Sequence, residues 1–250
     1  MFKALCFMRS VLWLIWTAAI IIPLALLLVL SAPFTGWQWL YRIANAWGRC
    51  AVFGMKWICG VQWRISGAEH LPTDGRKIII LSKHQSTWET LAFLALSPQP
   101  LCYVYKKELH WIPFFGWAIG SMKMIHIDRS QRGAAFKKVV AQGQRVMKEN
   151  RWVIMFPEGT RIARGKVGTY KTGGTRLACE TGAEVIPIAV SSAKCWPKGS
   201  FIKYPGVIDI SIGMPIPSTG QSADSLMLSV QTCIESEMRR IDAQSYSASL

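Results

Sequence analysis

Two short stretches carry side chains able to move a proton or hold an anion. In Ser82-Lys-His-Gln-Ser-Thr-Trp-Glu-Thr90, His84 stands five residues before Glu89. An imidazole titrates near neutrality and suits general-base work. A carboxylate reaching its other ring nitrogen would fix the tautomer and favour the imidazolium. The second stretch, Phe156-Pro-Glu-Gly-Thr-Arg161, offers a turn with free backbone and a guanidinium fork that matches a phosphate bidentately. Glu158, Gly159, Thr160 and Arg161 are therefore candidate binding residues. A structural reading competes for the first stretch, because Ser86-Thr-Trp-Glu89 also fits a capping box. Catalytic pair and helix cap are both open from these residues alone.

The elements around the stretches place them. Lys77-Ile-Ile-Ile-Leu81 is short, apolar and β-branched, as in a strand buried on both faces. A helix starting near Ser86–Glu89 follows it. His84 then occupies the turn beyond the strand's carboxyl end, where open α/β sheets keep their ligand sites. Further strands are expected at 61–66, 77–82, 101–105, 124–127, 152–156, 184–190 and 207–212, with helices at 87–96, 133–149, 173–181 and 223–243. This alternation predicts an α/β domain over 61–250: a mixed sheet flanked by helices. Pro187 inside the run Val185–Val190 predicts an edge strand or a bulge. Residues 244–250 are expected to fray.

Residues 1–60 predict a hydrophobic two-helix membrane element. Val11–Leu30 holds twenty residues and no charge. As a helix it is about 30 Å long, enough to cross a hydrocarbon core. It exceeds the roughly 7–15 residues of a signal peptide's apolar region. Pro23 predicts a kink, so a straight span and a bent, re-entrant segment both remain open. Within 37–60, Gln38, Arg42, Asn45, Arg49 and Lys56 fall on a stripe about 60° wide on an otherwise apolar helix. A narrow basic stripe on a broad Trp/Phe/Ile face describes a helix lying in a membrane interface, cations toward phosphates.

Composition agrees. Only 17% of residues are charged and there are 12 tryptophans, which favours a membrane interface over a freely soluble domain. The net charge of +15 calls for an anionic partner. The cations are spread along the chain and match no nucleic-acid motif, which leaves a membrane-tethered basic nucleic-acid binder as the weaker alternative from a different class. Seven cysteines without a C-x-x-C pair suggest neither a disulfide framework nor a zinc site. His70, His110 and His126 lack metal-ligand spacing, so no metal is expected. Ser86 lacks a nucleophile elbow.

Four ordered blocks from about Val61 to Ile216 resemble the glycerolipid acyltransferases, most closely the bacterial 1-acyl-sn-glycerol-3-phosphate acyltransferases. The first block is usually N-H-x-x-x-x-D; here Lys83 and Glu89 stand at the Asn and Asp positions. The second is carried by Lys106, Glu108, Leu109, Pro113, Phe115 and Gly116, then Ile125, Ile127, Asp128 and Arg129. The third, E-G-T-R, is intact at Glu158–Arg161, and VIPIAV at 185–190 matches the fourth. The resemblance implies acyl transfer from acyl-CoA or acyl-carrier protein to the sn-2 hydroxyl of lysophosphatidic acid, giving phosphatidic acid. His84 would be the base, with Lys106 and Arg129 on the acceptor phosphate. Glycerol 3-phosphate or another lysolipid is the alternative acceptor. It further implies membrane lipids as partners, no cofactor beyond the acyl donor, and a bacterial inner-membrane location with the catalytic domain in the cytoplasm.

Overall fold

The computed structural model describes residues 1–112, 115–127 and 132–246. Two helices, α1 (Phe2–Ser31) and α2 (Trp37–Cys59), precede seven strands: β1 (Val61–Ser66), β2 (Ile78–Ser82), β3 (Leu101–Lys106), β4 (Ile125–Ile127), β5 (Trp152–Met155), β6 (Glu184–Val190) and β7 (Gly206–Ile212). Helices α3 (Trp88–Leu96), α4 (Phe115–Ser121), α5 (Arg132–Lys148), α6 (Gly173–Thr181), α7 (Ala223–Ile241) and α8 (Ala243–Tyr246) complete the chain. The strands form one mixed sheet ordered β1-β7-β6-β2-β5-β3-β4, in which β6 and β7 are the antiparallel pair.

Alternation along the strands divides the core into two layers. Ile78, Ile80, Ile154, Ile186 and Ile188 face Trp88, Leu91 and Phe93 of α3 and Val52 and Met55 of α2. Ile79, Leu81, Val153 and Val185 face Val139 and Val146 of α5, Leu177 of α6 and Val230 and Ile234 of α7. Residues buried on both faces of a parallel strand read as unbroken aliphatic runs, which is why KIIIL was legible.

Pro187 marks a bulge rather than an edge: β6 lies inside the sheet between β7 and β2, and from the Ile188–Ile212 pair to the Val185–Ile216 bridge the partner segment runs one residue longer than β6. The proline is tolerated because the regular β7 ladder pairs only Ile188–Val190. Beyond it Gly213 N–H donates to Pro187 O at 2.9 Å, and Val185 bridges Ile216. The missing N–H therefore falls where the pairing is already irregular. Helix α4 and the 3-10 turn at Lys107–Trp111 were not foreseen, and α8 carries helix through residues 244–246, where fraying was expected.

Helix α1 begins nine residues before the apolar run and passes unbroken through Pro23. Its first third is tied to the α/β domain. Ser10 Oγ accepts from Lys203 N–H at 2.9 Å, and the Lys203 ammonium lies 4.5 Å from the Trp13 and Trp196 rings. Cys59 Sγ donates to Arg9 O. At the other end Leu28 is buried in the core, with Leu24 and Ala32 packed against it. Both ends of α1 thus rest on the domain, alongside α2. Past the exposed Lys3, the outward face of α1 is apolar: Phe7, Leu12, Ile15, Ile22 and Leu30 are exposed. Trp57, Trp111 and Trp117 are exposed as well. The polar stripe of α2 is interrupted, because Asn45 turns inward and donates from Nδ2 to Leu94 O at 2.6 Å.

Candidate active site

Strands β2, β5, β3 and β4 are consecutive in the sheet and parallel, so their carboxyl ends form one rim. His84 follows β2, Glu158–Arg161 follows β5, and Lys106 ends β3 with an exposed side chain. Arg129, with Asp128 and Pro113, lies outside the described residues.

The His84 peptide is fixed on both sides. Its N–H donates to Glu158 Oε2 at 2.9 Å, and its C=O accepts from Ile162 N–H at 2.7 Å. The imidazole stacks on Phe156, ring centres 4.0 Å apart and planes 18° from parallel. Its Nδ1 faces Glu89 Oε2 at 3.5 Å, an ion-pair separation longer than a hydrogen bond. Nδ1 is buried and has no hydrogen-bond partner among the described residues. With Nδ1 turned to the carboxylate, Nε2 is the nitrogen left for a substrate hydroxyl.

Glu89 is fully buried and does both jobs that the sequence left open. Its carboxylate accepts from the N–H of Gln85 at 2.9 Å and of Ser86 at 2.9–3.0 Å, and from the Ser192 hydroxyl. Ser86 Oγ in turn accepts from Trp88 N–H at 3.1 Å, completing a reciprocal cap. These donors fix the position of the carboxylate beside His84.

Glu158 does not present itself to a ligand, contrary to the sequence expectation. Its Oε1 accepts from the Lys83 ammonium at 2.7 Å and its Oε2 from His84 N–H, so both oxygens face inward. Burial pushes its carboxyl above the usual range, opposed by the Lys83 charge and the His84 N–H. The other three residues of the turn do face outward. Gly159 and Thr160 are exposed, and Gly159 adopts φ +66°, a left-handed conformation natural to glycine. The Arg161 guanidinium is half-buried, and its buried Nε has no hydrogen-bond partner among the described residues.

Several residues at this site went unremarked or unassigned in the sequence. Lys171 lies over the turn, its Nζ 3.1 Å from where a Cβ on Gly159 would stand, adding a second cation to the Gly159–Arg161 surface. Phe156 had signal only as the end of a strand. Ser192 is 103 residues from Glu89, a separation no local pattern bridges.

A half-buried base backed by a buried carboxylate, beside an outward cationic turn, can deprotonate a hydroxyl carried by an anionic molecule. Comparison with known proteins identifies the family and the fold. The acyltransferase family model matches residues 62–191. A 1-acyl-sn-glycerol-3-phosphate acyltransferase of Pseudomonas aeruginosa is 42% identical over 191 residues, covering 76% of this chain and 73% of the relative. The human 1-acyl-sn-glycerol-3-phosphate acyltransferase alpha is 27% identical over 181 residues, 71% of this chain and 63% of that protein. The crystal structure of the 1-acyl-sn-glycerophosphate (LPA) acyltransferase from Thermotoga maritima superposes with a TM-score of 0.76 at 22% identity, covering 94% of this chain and 97% of that one.

Proposed function

This chain belongs to the acyltransferase family, and we propose that it moves a fatty acyl group from a thioester to the sn-2 hydroxyl of 1-acyl-sn-glycerol 3-phosphate. The observation that carries the reading is the join between base and anion turn. His84 O and Ile162 N–H are 2.7 Å apart, so the imidazole and the Gly159–Arg161 surface are held in one frame. The names of the relatives support the acceptor.

The chemistry balances without a covalent enzyme intermediate. The acceptor oxygen attacks the thioester carbonyl carbon while its proton passes to His84 Nε2. Glu89 stabilises the imidazolium through Nδ1. Collapse of the tetrahedral intermediate breaks the carbon–sulfur bond, and the imidazolium returns the proton to the departing thiolate. Arg161, Lys171 and Lys106 supply positive charge for the acceptor phosphate. The donor is acyl-CoA or acyl-carrier protein, since either delivers the same thioester.

Both ends of α1 rest on the domain, which supports seating α1 and α2 in one leaflet rather than sending α1 across the bilayer. The apolar outer face of α1 would lie among acyl chains, bringing the rim to the depth of the acceptor's headgroup.

Purified protein, acyl-CoA, a thiol-reporting dye and a panel of lysolipids test the reading. Thiol release should require 1-acyl-sn-glycerol 3-phosphate, and His84→Ala should lower kcat by about 10²-fold or more with the fold and membrane association intact. Turnover of His84→Ala at near-normal kcat would refute the base. Preference for glycerol 3-phosphate would reassign the acceptor.

A further inference from the structure

Behind the catalytic turn lies a charged cluster that the acyl-transfer steps do not use. Lys83 is 0% exposed, one residue before His84 and at the position where the resembling family carries asparagine. Its ammonium sits 2.7 Å from Glu158 Oε1 and 2.7 Å from Glu235 Oε1, and 3.2 Å from Lys166 O. Tyr170 donates its hydroxyl to Glu235 Oε1 at 2.7 Å. Glu235 belongs to α7, so a single buried ammonium joins the β2 turn, the β5 turn and a helix of the opposite layer. Lys83 N–H also extends the sheet, donating to Ile188 O at 2.9 Å.

We propose that Lys83 is a positioning residue for acyl transfer: its charge keeps Glu158 ionised under the His84 peptide and couples that peptide to α7 through Glu235. The proposal rests on the acyltransferase reading for its activity measurements. The physical argument is one of charge balance. Two carboxylates share one ammonium, so they lie within roughly twice a hydrogen-bond length of each other in a water-poor site. Without the ammonium they cannot both remain ionised, and the pair takes up a proton. Every group facing Glu158 bears on which state it holds. From the β2 turn these are the Lys83 ammonium and the His84 N–H. From α7 there is Glu235, from the connection after β5 Tyr170 and the Lys166 carbonyl, and from α8 the Tyr246 hydroxyl. Lys83 is the cation among the described groups bonded to this pair, and Glu235 Oε2 has no hydrogen-bond partner among the described residues. That oxygen is open to a proton once the lysine is gone. A protonated pair would weaken the charge-assisted bond from His84 N–H to Glu158 and loosen the loop carrying the base.

The test is a cycle of Lys83→Asn, Glu235→Gln and the double variant. Lys83→Asn should lower kcat by about ten-fold or more, while the KM of acceptor and donor stays within about two-fold. Its kcat should rise with pH above neutrality, where wild type is flat, as the trapped proton leaves. Adding Glu235→Gln removes one of the two competing carboxylates and should recover most of the loss and the flat profile. Infrared spectra at neutral pH give a readout independent of turnover: a protonated-carboxyl band in Lys83→Asn, absent from wild type and from the double variant. Failure of wild type to acylate any lysolipid would strike the functional reading and leave this band as the test of the cluster. If Lys83→Asn does not accumulate but the folded double variant turns over, the charge argument stands. Equal kcat losses in the single and double variants, without the band, would overturn the proposal. So would loss of both proteins, which would make Lys83 a folding residue.

Discussion

Replacing Glu89 by glutamine separates cap from catalyst more sharply than deleting the side chain. In wild type, Oε1 accepts from Gln85 N–H at 2.9 Å, Ser86 N–H at 3.0 Å and the Ser192 hydroxyl. Oε2 accepts from Ser86 N–H at 2.9 Å and faces His84 Nδ1 at 3.5 Å. Glutamine keeps the donors at Oε1 only by putting its NH2 where Oε2 was. There the amide meets Ser86 N–H donor to donor, and it offers a proton to His84 Nδ1. That favours the tautomer with hydrogen on Nε2, which has no lone pair for the acceptor hydroxyl. The loss should approach the whole contribution of a general base, about 10²–10⁴ in kcat, or about 2.7–5.4 kcal/mol. The structural cost is one buried acceptor, about 1–3 kcal/mol. For a chain of this size that lowers Tm by about 2–12 °C. Initial rates of thiol release at saturating substrates give kcat, and thermal unfolding in detergent gives the stability cost. A folded Glu89→Gln enzyme with kcat within about three-fold of wild type would show that the carboxylate is a cap and nothing more.

Arg161→Lys replaces a two-pronged donor with a point charge. It should raise acceptor KM by about one to two decades, the worth of one charge-assisted hydrogen bond, and leave donor KM nearly unchanged; the opposite pattern would assign Arg161 to the donor. Cysteine should play no part. Cys102 and Cys195 are buried, and burial pushes each thiol up to about 11, the wrong direction for a nucleophile. A folded variant without the seven thiols should turn over with sequential kinetics, and an acyl-cysteine found by mass spectrometry would defeat direct transfer. At the α1–α2 contact, a Cβ on Gly54 would meet Trp16 Nε1 at 2.5 Å, and that ring is pinned by its hydrogen bond to Cys50 O. Gly54→Val should therefore cost about 1–3 kcal/mol, several degrees of Tm in detergent. An unchanged Tm would mean that the helix pair contributes nothing to the fold.

How far the fold could be read from the sequence depended on whether the signal was local. Strands β1 and β6 and helix α6 lie at their expected bounds, because aliphatic runs and helical spacing write burial directly into neighbouring residues. The placement of His84 at a strand end followed from the same logic. Pro187 signalled an edge or a bulge without deciding between them, because a proline's cost depends on what the neighbouring strand does at that point, and the segment after β7 carries an extra residue just there. Asn45 misled because angular position on a helix shows which residues share a side, but not that α3 would offer the Leu94 carbonyl to one of them. Helix α4 carries no charged side chain and spans seven residues, too few for a periodicity to declare itself.

Glu158 marks where sequence reasoning about the site itself ran out. A carboxylate inside an anion-binding turn is an electrostatic contradiction: beside a phosphate it would repel what Arg161 attracts. The structure resolves it by turning the side chain through the layer to Lys83, 75 residues earlier in sequence, while its second oxygen takes the His84 N–H. The outward surface is then left to Gly159, Thr160 and Arg161, with Lys171 above. One residue thus separates the two charges the chemistry needs apart, a cationic face for the acceptor and an anionic support for the base. Nothing in the four letters E-G-T-R reveals this, because the partner that makes the glutamate tolerable is the lysine standing where the resembling family has asparagine.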